Sequence, residues 1–96
     1  MRRRAKIDAN QPEIVKALRD MGATVQSLAA IGKGCPDLLV GHKGRNVLLE
    51  VKDGSRKPSE RQLTRDEAVW HLSWKGQVWV VQTPEGAVAM VNIACS

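Results

Sequence analysis

The chain has 96 residues, enough for one small domain with a modest buried core. Hydrophobic residues make up 43% and charged residues 26%, as in ordinary globular proteins, and three tryptophans are the only aromatic residues. A net charge of +5 favours an anionic partner, nucleic acid first. A basic tail over about residues 1–8 is not followed by an apolar run, so we expect no signal peptide, no membrane span and an intracellular protein with free thiols.

The N-terminal half of the chain predicts a helix and then a strand. Asn10 is a favourable N-cap, and Glu13 stands three residues later, where it completes a capping box. The helix is expected to end at Gly22, since glycine readily adopts the left-handed conformation that terminates a helix. Residues 23–28 follow as a strand and lead into a glycine-rich loop.

A β-hairpin is predicted in the middle of the chain. Two aliphatic runs at 38–40 and 47–49 flank a short connection that contains glycine. A two-residue or four-residue loop centred on 43–44 places Asp37 opposite Glu50, whereas a three-residue loop would shift this pairing. The hairpin is therefore expected to bring two acidic residues together.

Alternation along the two strands sorts their side chains onto two faces. One face carries the charged residues Asp37, Glu50 and Lys52 together with Leu39 and Leu48. The other face is wholly aliphatic and is predicted to be core. It comprises Leu38, Val40, Val47, Leu49 and Val51.

The C-terminal half predicts one more helix and one more strand. Ser59, with Gln62 three residues later, is expected to cap a helix that ends at Gly76, and residues 78–81 read as a strand. The tail from Thr83 is either a short helix or an edge strand. The predicted order α-β-β-β-α-β describes an α/β domain with a mixed central sheet flanked by helices.

The charged face of the hairpin carries a recognisable chemistry. Like charges directly opposed on two strands are destabilising, and a divalent cation between Asp37 and Glu50 would remove that cost. Carboxylates suit Mg²⁺ or Mn²⁺, which retain waters and can take a phosphate oxygen. Lys52 projects from the same face, where an ammonium would orient water and stabilise charge on a phosphate. Together these residues predict phosphodiester hydrolysis.

Asp37, followed after twelve residues by Glu50-Val51-Lys52, resembles the signature of the PD-(D/E)XK nuclease superfamily. The chain is most similar to a stand-alone virus-type replication-repair nuclease (VRR-NUC) domain. This resemblance runs from Glu13 to about Val81 and implies a restriction-endonuclease-like core, within a single nuclease domain expected over residues 1–96. It also implies that Asp37, Glu50 and the backbone carbonyl of Val51 bind the metal and that Lys52 serves the nucleophilic water.

Two further residues acquire a site role by the same resemblance. Glu13 on the first helix would extend the metal site, and Gln62 would support Lys52 or a phosphate. Both also complete a predicted capping box, which is reason enough for their presence. Phosphate contacts are expected, as a group, from Lys33, Arg56, Lys57, Arg61 and Arg65.

The resemblance implies a DNA endonuclease that acts as a homodimer on branched DNA such as four-way (Holliday) junctions, in DNA repair, without a small-molecule cofactor. One alternative is a non-catalytic nucleic-acid-binding module on a nuclease fold, and another is a nuclease acting on flaps or ends. Trp70 and Trp74 are expected to line one side of the second helix and Leu72 the other, so that one side packs on the sheet and the other is free for a partner. His42 and His71 lack partners at ligand spacing and are not predicted to belong to the site.

Overall fold

The computed structural model describes residues 7–96, so most of the predicted basic tail lies outside the described residues. Within that part, the mixed sheet flanked by helices is confirmed, and the tail that the sequence left open is a helix. None of these helices is long and apolar enough to cross a bilayer. The elements are α1 (Gln11–Asp20), β1 (Thr24–Ser27), β2 (Leu38–His42), β3 (Arg45–Val51), a 3-10 turn (Pro58–Glu60), α2 (Arg65–Ser73), β4 (Val78–Val81) and α3 (Pro84–Ala94).

The four strands lie side by side in the order β1-β2-β3-β4, with the first three antiparallel and β4 parallel to β3. A parallel neighbour requires a crossover connection, and α2 lies within it. The hairpin turn consists of Lys43 and Gly44, both with positive φ (53° and 77°), which matches the twist of the flanking strands. Val40 therefore pairs with Val47, as predicted, and residues 37 and 50 meet at the open end of the hairpin.

The aliphatic face of the sheet is the core, as predicted: each of its five hairpin residues is at most 1% exposed. Helices α1 and α3 cover this face with Ile14, Leu18, Ala87 and Val91. Fully burying an aliphatic side chain contributes about 1.5–3 kcal/mol, so this layer supplies most of the driving force for folding. The two cysteines are free, and Cys95 is buried in the core.

Helix α1 begins where the sequence predicted, but the predicted capping box is wrong. The side chain of Asn10 makes no capping hydrogen bond to α1. Its Nδ2 instead donates to the carbonyl oxygens of Lys52 (3.0 Å) and Gln82 (2.9 Å). The residue that would have capped a helix therefore joins the start of α1 to the chain just beyond β3 and β4.

Helix α2 begins at Arg65, so the predicted start at Ser59 is wrong. Pro58 opens a 3-10 turn instead, and Thr64 is the N-cap. The Thr64 Oγ1 accepts a hydrogen bond from the Glu67 N–H (3.2 Å), and the Glu67 carboxylate accepts one from the Thr64 N–H (2.8 Å). Two capping-box patterns compete here, and the one with a charged carboxylate acceptor forms, since charge-assisted hydrogen bonds are stronger.

Helix α2 lies alone over the second face of the sheet and buries none of its own residues. The rings of Trp70 and Trp74 stack with their centroids 4.5 Å apart. Leu72 is 86% exposed and Val69 is also exposed. The exposure of Leu72 agrees with its expected direction away from the sheet, whereas Trp74, on the side expected to pack on the sheet, is itself 46% exposed.

Candidate functional site

The open end of the hairpin brings the predicted acidic residues and lysine together. Asp37 directly precedes β2, and its Oδ2 accepts a hydrogen bond from the backbone N–H of Val51 (2.7 Å). The carbonyl of Asp37 accepts another from the N–H of Leu28 (2.8 Å), so residue 37 is held from both sides. Glu50 is 1% exposed and Lys52 is 9% exposed, which is unusual burial for charged residues.

The electrostatics of the acid pair are strongly perturbed. Burial, together with a hydrogen bond to Asp37 and the charge of Asp37, raises the pKa of Glu50 to about 10. At neutral pH Glu50 therefore retains its proton in the metal-free fold, because a buried negative charge beside a second carboxylate is unfavourable. A divalent cation would replace that proton.

Lys52 is held by Glu67, a residue that sequence reasoning missed. Lys52 Nζ donates to Glu67 Oε1 at 2.7 Å, and both side chains are largely buried. Burial opposes the charged form, but the hydrogen bond and charge of Glu67, with the charges of Glu50 and Asp8, raise the pKa of Lys52. Burial likewise acts against ionised Glu67, yet its hydrogen bonds to Lys52 and Thr64 lower its pKa. The lysine is therefore an ammonium ion held in one place.

The two residues that the resemblance assigned beside this cluster make no hydrogen bond or ion pair with it among residues 7–96. Gln62 is exposed in the loop between the 3-10 turn and α2, and no side-chain hydrogen bond among residues 7–96 involves it. Glu13 is exposed on α1 and lines a cavity of about 340 Å³ together with Asp53 and Glu85. Within the described residues, no hydrogen bond or ion pair joins Glu13 to Asp37, Glu50 or Lys52. Lys52 is contacted by Glu67 instead. The sequence signal that could have identified Glu67 is its position three residues after Thr64, which is the spacing of a capping box.

Besides Glu67, a further acidic residue that the sequence analysis did not identify lies near the cluster: Asp8, in the segment before α1. Asp8 is half-buried, and its pKa is raised by burial and by the charge of Asp37, while the charge of Lys52 lowers it. No sequence pattern marked this residue, because it precedes the helix N-cap and belongs to no regular element. The chain fold alone places it beside the strand ends.

His71 also belongs to the site, contrary to expectation. Its Nε2 lies 3.3 Å from Glu50 Oε1. Burial lowers the pKa of His71, with Lys52 acting in the same direction and Glu67 against it, so the imidazole is neutral at pH 7. The thiol of Cys35 is nearby, and burial with the charges of Glu50 and Asp37 raises its pKa, which disfavours the reactive thiolate.

The predicted phosphate contacts divide into two groups. Arg56 forms an exposed ion pair with Glu60 (2.6 Å), and Arg61 donates from Nη1 to Gln82 Oε1 (3.2 Å). The other three predicted contacts are exposed. They are Lys33, Lys57 and Arg65.

Two of these exposed cations, Lys33 and Arg65, lie close together because of Gly34. A side chain at Gly34 would collide with the backbone oxygen of Asp66 in the first turn of α2, and φ at Gly34 is +83°. Only glycine allows so close an approach at this backbone conformation. The loop that carries Lys33 thus packs directly on the start of α2, which carries Arg65.

The donor set can be compared with the needs of different metals. Within residues 7–96, no group of three or more His, Cys, Asp or Glu side chains is arranged to hold a metal ion. That arrangement is what a zinc-type site built from side chains alone requires. Mg²⁺ is instead bound through one or two carboxylates and keeps several waters. Asp37, Glu50 and the backbone carbonyl of Val51 offer the oxygen donors that this second kind of ion takes. The ion would supply the positive charge that the proton on Glu50 supplies in its absence.

Comparison of the sequence with models of known families finds no match, and neither a curated protein nor a solved structure is significantly similar to the chain. The function is therefore inferred from the chemistry of the site itself.

Proposed function

We propose that this chain is a divalent-metal-dependent nuclease of the PD-(D/E)XK type, with a VRR-NUC-like, restriction-endonuclease-like core. The observation that carries the proposal is the acid pair of buried Glu50 and half-buried Asp37 beside the buried ammonium of Lys52. Burial, together with the hydrogen bond and charge of Asp37, raises the pKa of Glu50 to about 10. Burying an acid and a base beside a second acid is costly for a structure that needs only stability. Such strongly perturbed clusters are concentrated at functional sites.

Each residue of the cluster has a distinct role in this proposal. Asp37 and Glu50, with the carbonyl of Val51, hold Mg²⁺ or Mn²⁺, and the bound ion supplies a Lewis acid and a lowered pKa for coordinated water. Lys52 orients the attacking water and stabilises negative charge on the phosphate. Glu67 keeps the Lys52 ammonium charged and in place.

Charge on the surface supports DNA as the substrate. The chain carries a net charge of +5, and Lys33 and Arg65 are exposed beside the start of α2, the helix that also contacts the site. Exposed lysine and arginine bind phosphates without reading sequence, so the affinity should depend strongly on salt. Selection by DNA structure, such as a four-way junction, agrees with this sequence-independent mode of contact.

Assembly as a homodimer belongs to the same proposal. Leu72 is 86% exposed and Val69 is exposed on the same helix, and apolar side chains of this size in water favour association. A twofold dimer would present two sites related by a dyad, as symmetric cleavage of a junction requires. Light scattering at micromolar concentration should give twice the 10.5 kDa of one chain, and Leu72→Glu should give the monomer. A wild-type monomer that still cleaves junctions would contradict the dimer and leave the metal chemistry intact.

The proposal is tested by cleavage of labelled four-way junction, linear duplex, flap and RNA substrates with Mg²⁺ or Mn²⁺. We expect metal-dependent cleavage, fastest on the junction. Lys52→Ala should retain metal binding and lose on the order of 10²–10³ in rate, since it removes one electrostatic contact to the transition state. Lys16→Ala is the matched control, because Lys16 is an exposed lysine on α1, paired with Asp20 and remote from the site, and its loss should not change the rate.

Two results would contradict the proposal. One is binding of all these substrates without metal-dependent cleavage of any, which would favour the non-catalytic binding module. The other is wild-type activity in Lys52→Ala. Preference for flaps or ends over junctions would change the substrate and not the chemistry.

A further inference from the structure

Two residues one turn apart on α2 contact the two most buried charged residues of the site. Glu67 accepts a hydrogen bond from Lys52 (2.7 Å), and His71 lies 3.3 Å from Glu50. Positions i and i+4 of a helix share one side, so both contacts belong to the side that faces the sheet. Since α2 buries none of its residues, these polar contacts are a large part of what orients the helix on the sheet.

We propose that His71 is a positioning residue for Glu50, holding its carboxyl group in the orientation that binds the divalent ion; this inference rests on the function proposed above. The backbone of Glu50 is fixed by its strand neighbours, but the side chain still has rotatable bonds. A contact from His71 Nε2 to Oε1 restricts the last of them. Carboxylates that bind metals are in turn held by hydrogen-bond partners, which set their orientation.

The aromatic residues of α2 explain why this imidazole is well placed for such a role. The ring of Trp70 meets the His71 ring edge to face, with centroids 6.2 Å apart and planes at 71°. Trp74 stacks on Trp70. The His71 side chain is only 14% exposed, so few other rotamers are open to it. Two of the three tryptophans thus pack, directly or through each other, on the residue that contacts Glu50.

The experiment is a calorimetric titration of metal-free protein with Mn²⁺ alone. Loss of a residue that orients a metal ligand weakens metal affinity by about 10–100-fold, and we expect this for His71→Ala. His42 is the matched control: it is the only other histidine, half-buried beside the hairpin turn and paired with Arg45, at the far end of the hairpin from Glu50. His42→Ala should bind Mn²⁺ as the wild type does.

Conservative variants separate positioning from packing. His71→Gln presents an amide N–H at nearly the reach of Nε2 and should bind Mn²⁺ within a few-fold of wild type, whereas the shorter His71→Asn should bind as weakly as His71→Ala. Thermal unfolding of the metal-free variants checks that each is folded. If His71→Ala does not fold, the Gln and Asn variants decide the question.

The outcomes distinguish the two proposals. Equal Mn²⁺ affinity of wild type and His71→Ala, or of the Gln and Asn variants, overturns the role of His71 while the nuclease remains. A wild type that neither binds Mn²⁺ nor cleaves DNA overturns the proposed function and this inference with it. Weakened Mn²⁺ binding in the Ala and Asn variants, with rescue by Gln, supports the inference.

Discussion

The two faces of the sheet differ in the side chains that they bury, although the same strands supply both: one face buries aliphatic residues and the other buries charged ones. The face under α1 and α3 is aliphatic and closed to water. The face under α2 carries Glu50 and Lys52, almost as deeply buried, and is covered by a helix that buries no residue of its own. Alternate residues of β3 therefore serve stability on one side and the site on the other.

This difference shows which face lowers the stability of the fold, because burying charged groups is unfavourable. Apolar burial on the first face is favourable for each residue added. On the second face, each polar side chain that leaves water needs a partner, and the structure supplies His71 for Glu50, Glu67 for Lys52 and the N–H of Val51 for the half-buried Asp37. Features that contradict a simple stability rule are typical of functional sites.

Glu50→Gln should produce the largest effect on the cleavage rate while leaving the stability of the fold intact, which would show that this face serves activity and not stability. The amide keeps the size of the side chain but cannot supply the negative charge that a divalent ion requires. We expect cleavage to fall by on the order of 10³-fold or more, since the charge stabilisation of the transition state depends on it. The free energy of unfolding of the metal-free protein should be unchanged or higher, because Glu50 must take up a proton to be buried at neutral pH, whereas the amide is neutral in the folded and the unfolded chain alike.

Single-turnover cleavage assays and urea unfolding in chelator measure these two quantities. Asp37→Asn is the companion variant and should lose activity to a similar degree. Cleavage by Glu50→Gln at the wild-type rate would disprove the assignment of the acid pair.

Neighbouring leucines on β2 provide the second comparison, because they point to opposite faces. Leu38 is 0% exposed in the core, whereas Leu39 is 37% exposed on the site face. Leu38→Ala should lower the free energy of unfolding by about 2–5 kcal/mol, the usual cost of a cavity in a packed core. Leu39→Ala should cost less, about 1 kcal/mol, since more than a third of Leu39 is already in water and its loss leaves no closed cavity. Equal losses in urea unfolding would mean that the site face is also packed as core.

The pH dependence of stability should show a smaller effect that comes from the site face alone. The pKa of Glu50 is about 10 in the fold against 4.5 for an ordinary glutamate. Above pH 4.5 the unfolded chain releases this proton while the folded chain keeps it, so the contribution of Glu50 to stability is complete below 4.5 and is lost as pH rises towards 10. Between pH 7 and 8.5, clear of histidine titration, metal-free wild type should lose stability by up to about 1.4 kcal/mol per pH unit, the limit for one proton.

Glu50→Gln serves as the control for this pH series. It lacks the titrating group, and its stability should be nearly flat over the same range. Urea unfolding in chelator at several pH values measures both slopes. A wild-type stability as independent of pH as that of Glu50→Gln would show that Glu50 is already ionised in the metal-free fold.

Local patterns in the sequence were sufficient for the hairpin. Strand alternation and the two-residue turn place Val40 against Val47 and Asp37 beside Glu50, since a shift by one residue would expose the whole aliphatic face. The acid pair and Lys52 could be identified for the same reason: they are neighbours through one turn and one strand. Periodicity and short-range pairing need no knowledge of the rest of the chain.

Contacts between elements that are distant in the sequence could not be predicted from local patterns. Asn10 carries the usual signal of a helix cap, yet its amide bonds to the chain beyond β3 and β4, because the fold offers two carbonyl oxygens there. Similarly, two capping-box patterns precede α2, and Thr64–Glu67 forms where Glu67 also meets Lys52.

The sequence by itself determined the mixed sheet, its aliphatic core face and the position of Asp37, Glu50 and Lys52 at the end of one hairpin. Only the tertiary structure decided that Glu67 contacts Lys52, that His71 contacts Glu50 and that Asp8 lies near both Asp37 and Lys52. The physical reason is that hairpin register follows from a period of two and a short turn. The placement of a crossover helix depends instead on polar contacts between residues 15 to 21 positions apart, which no local period encodes.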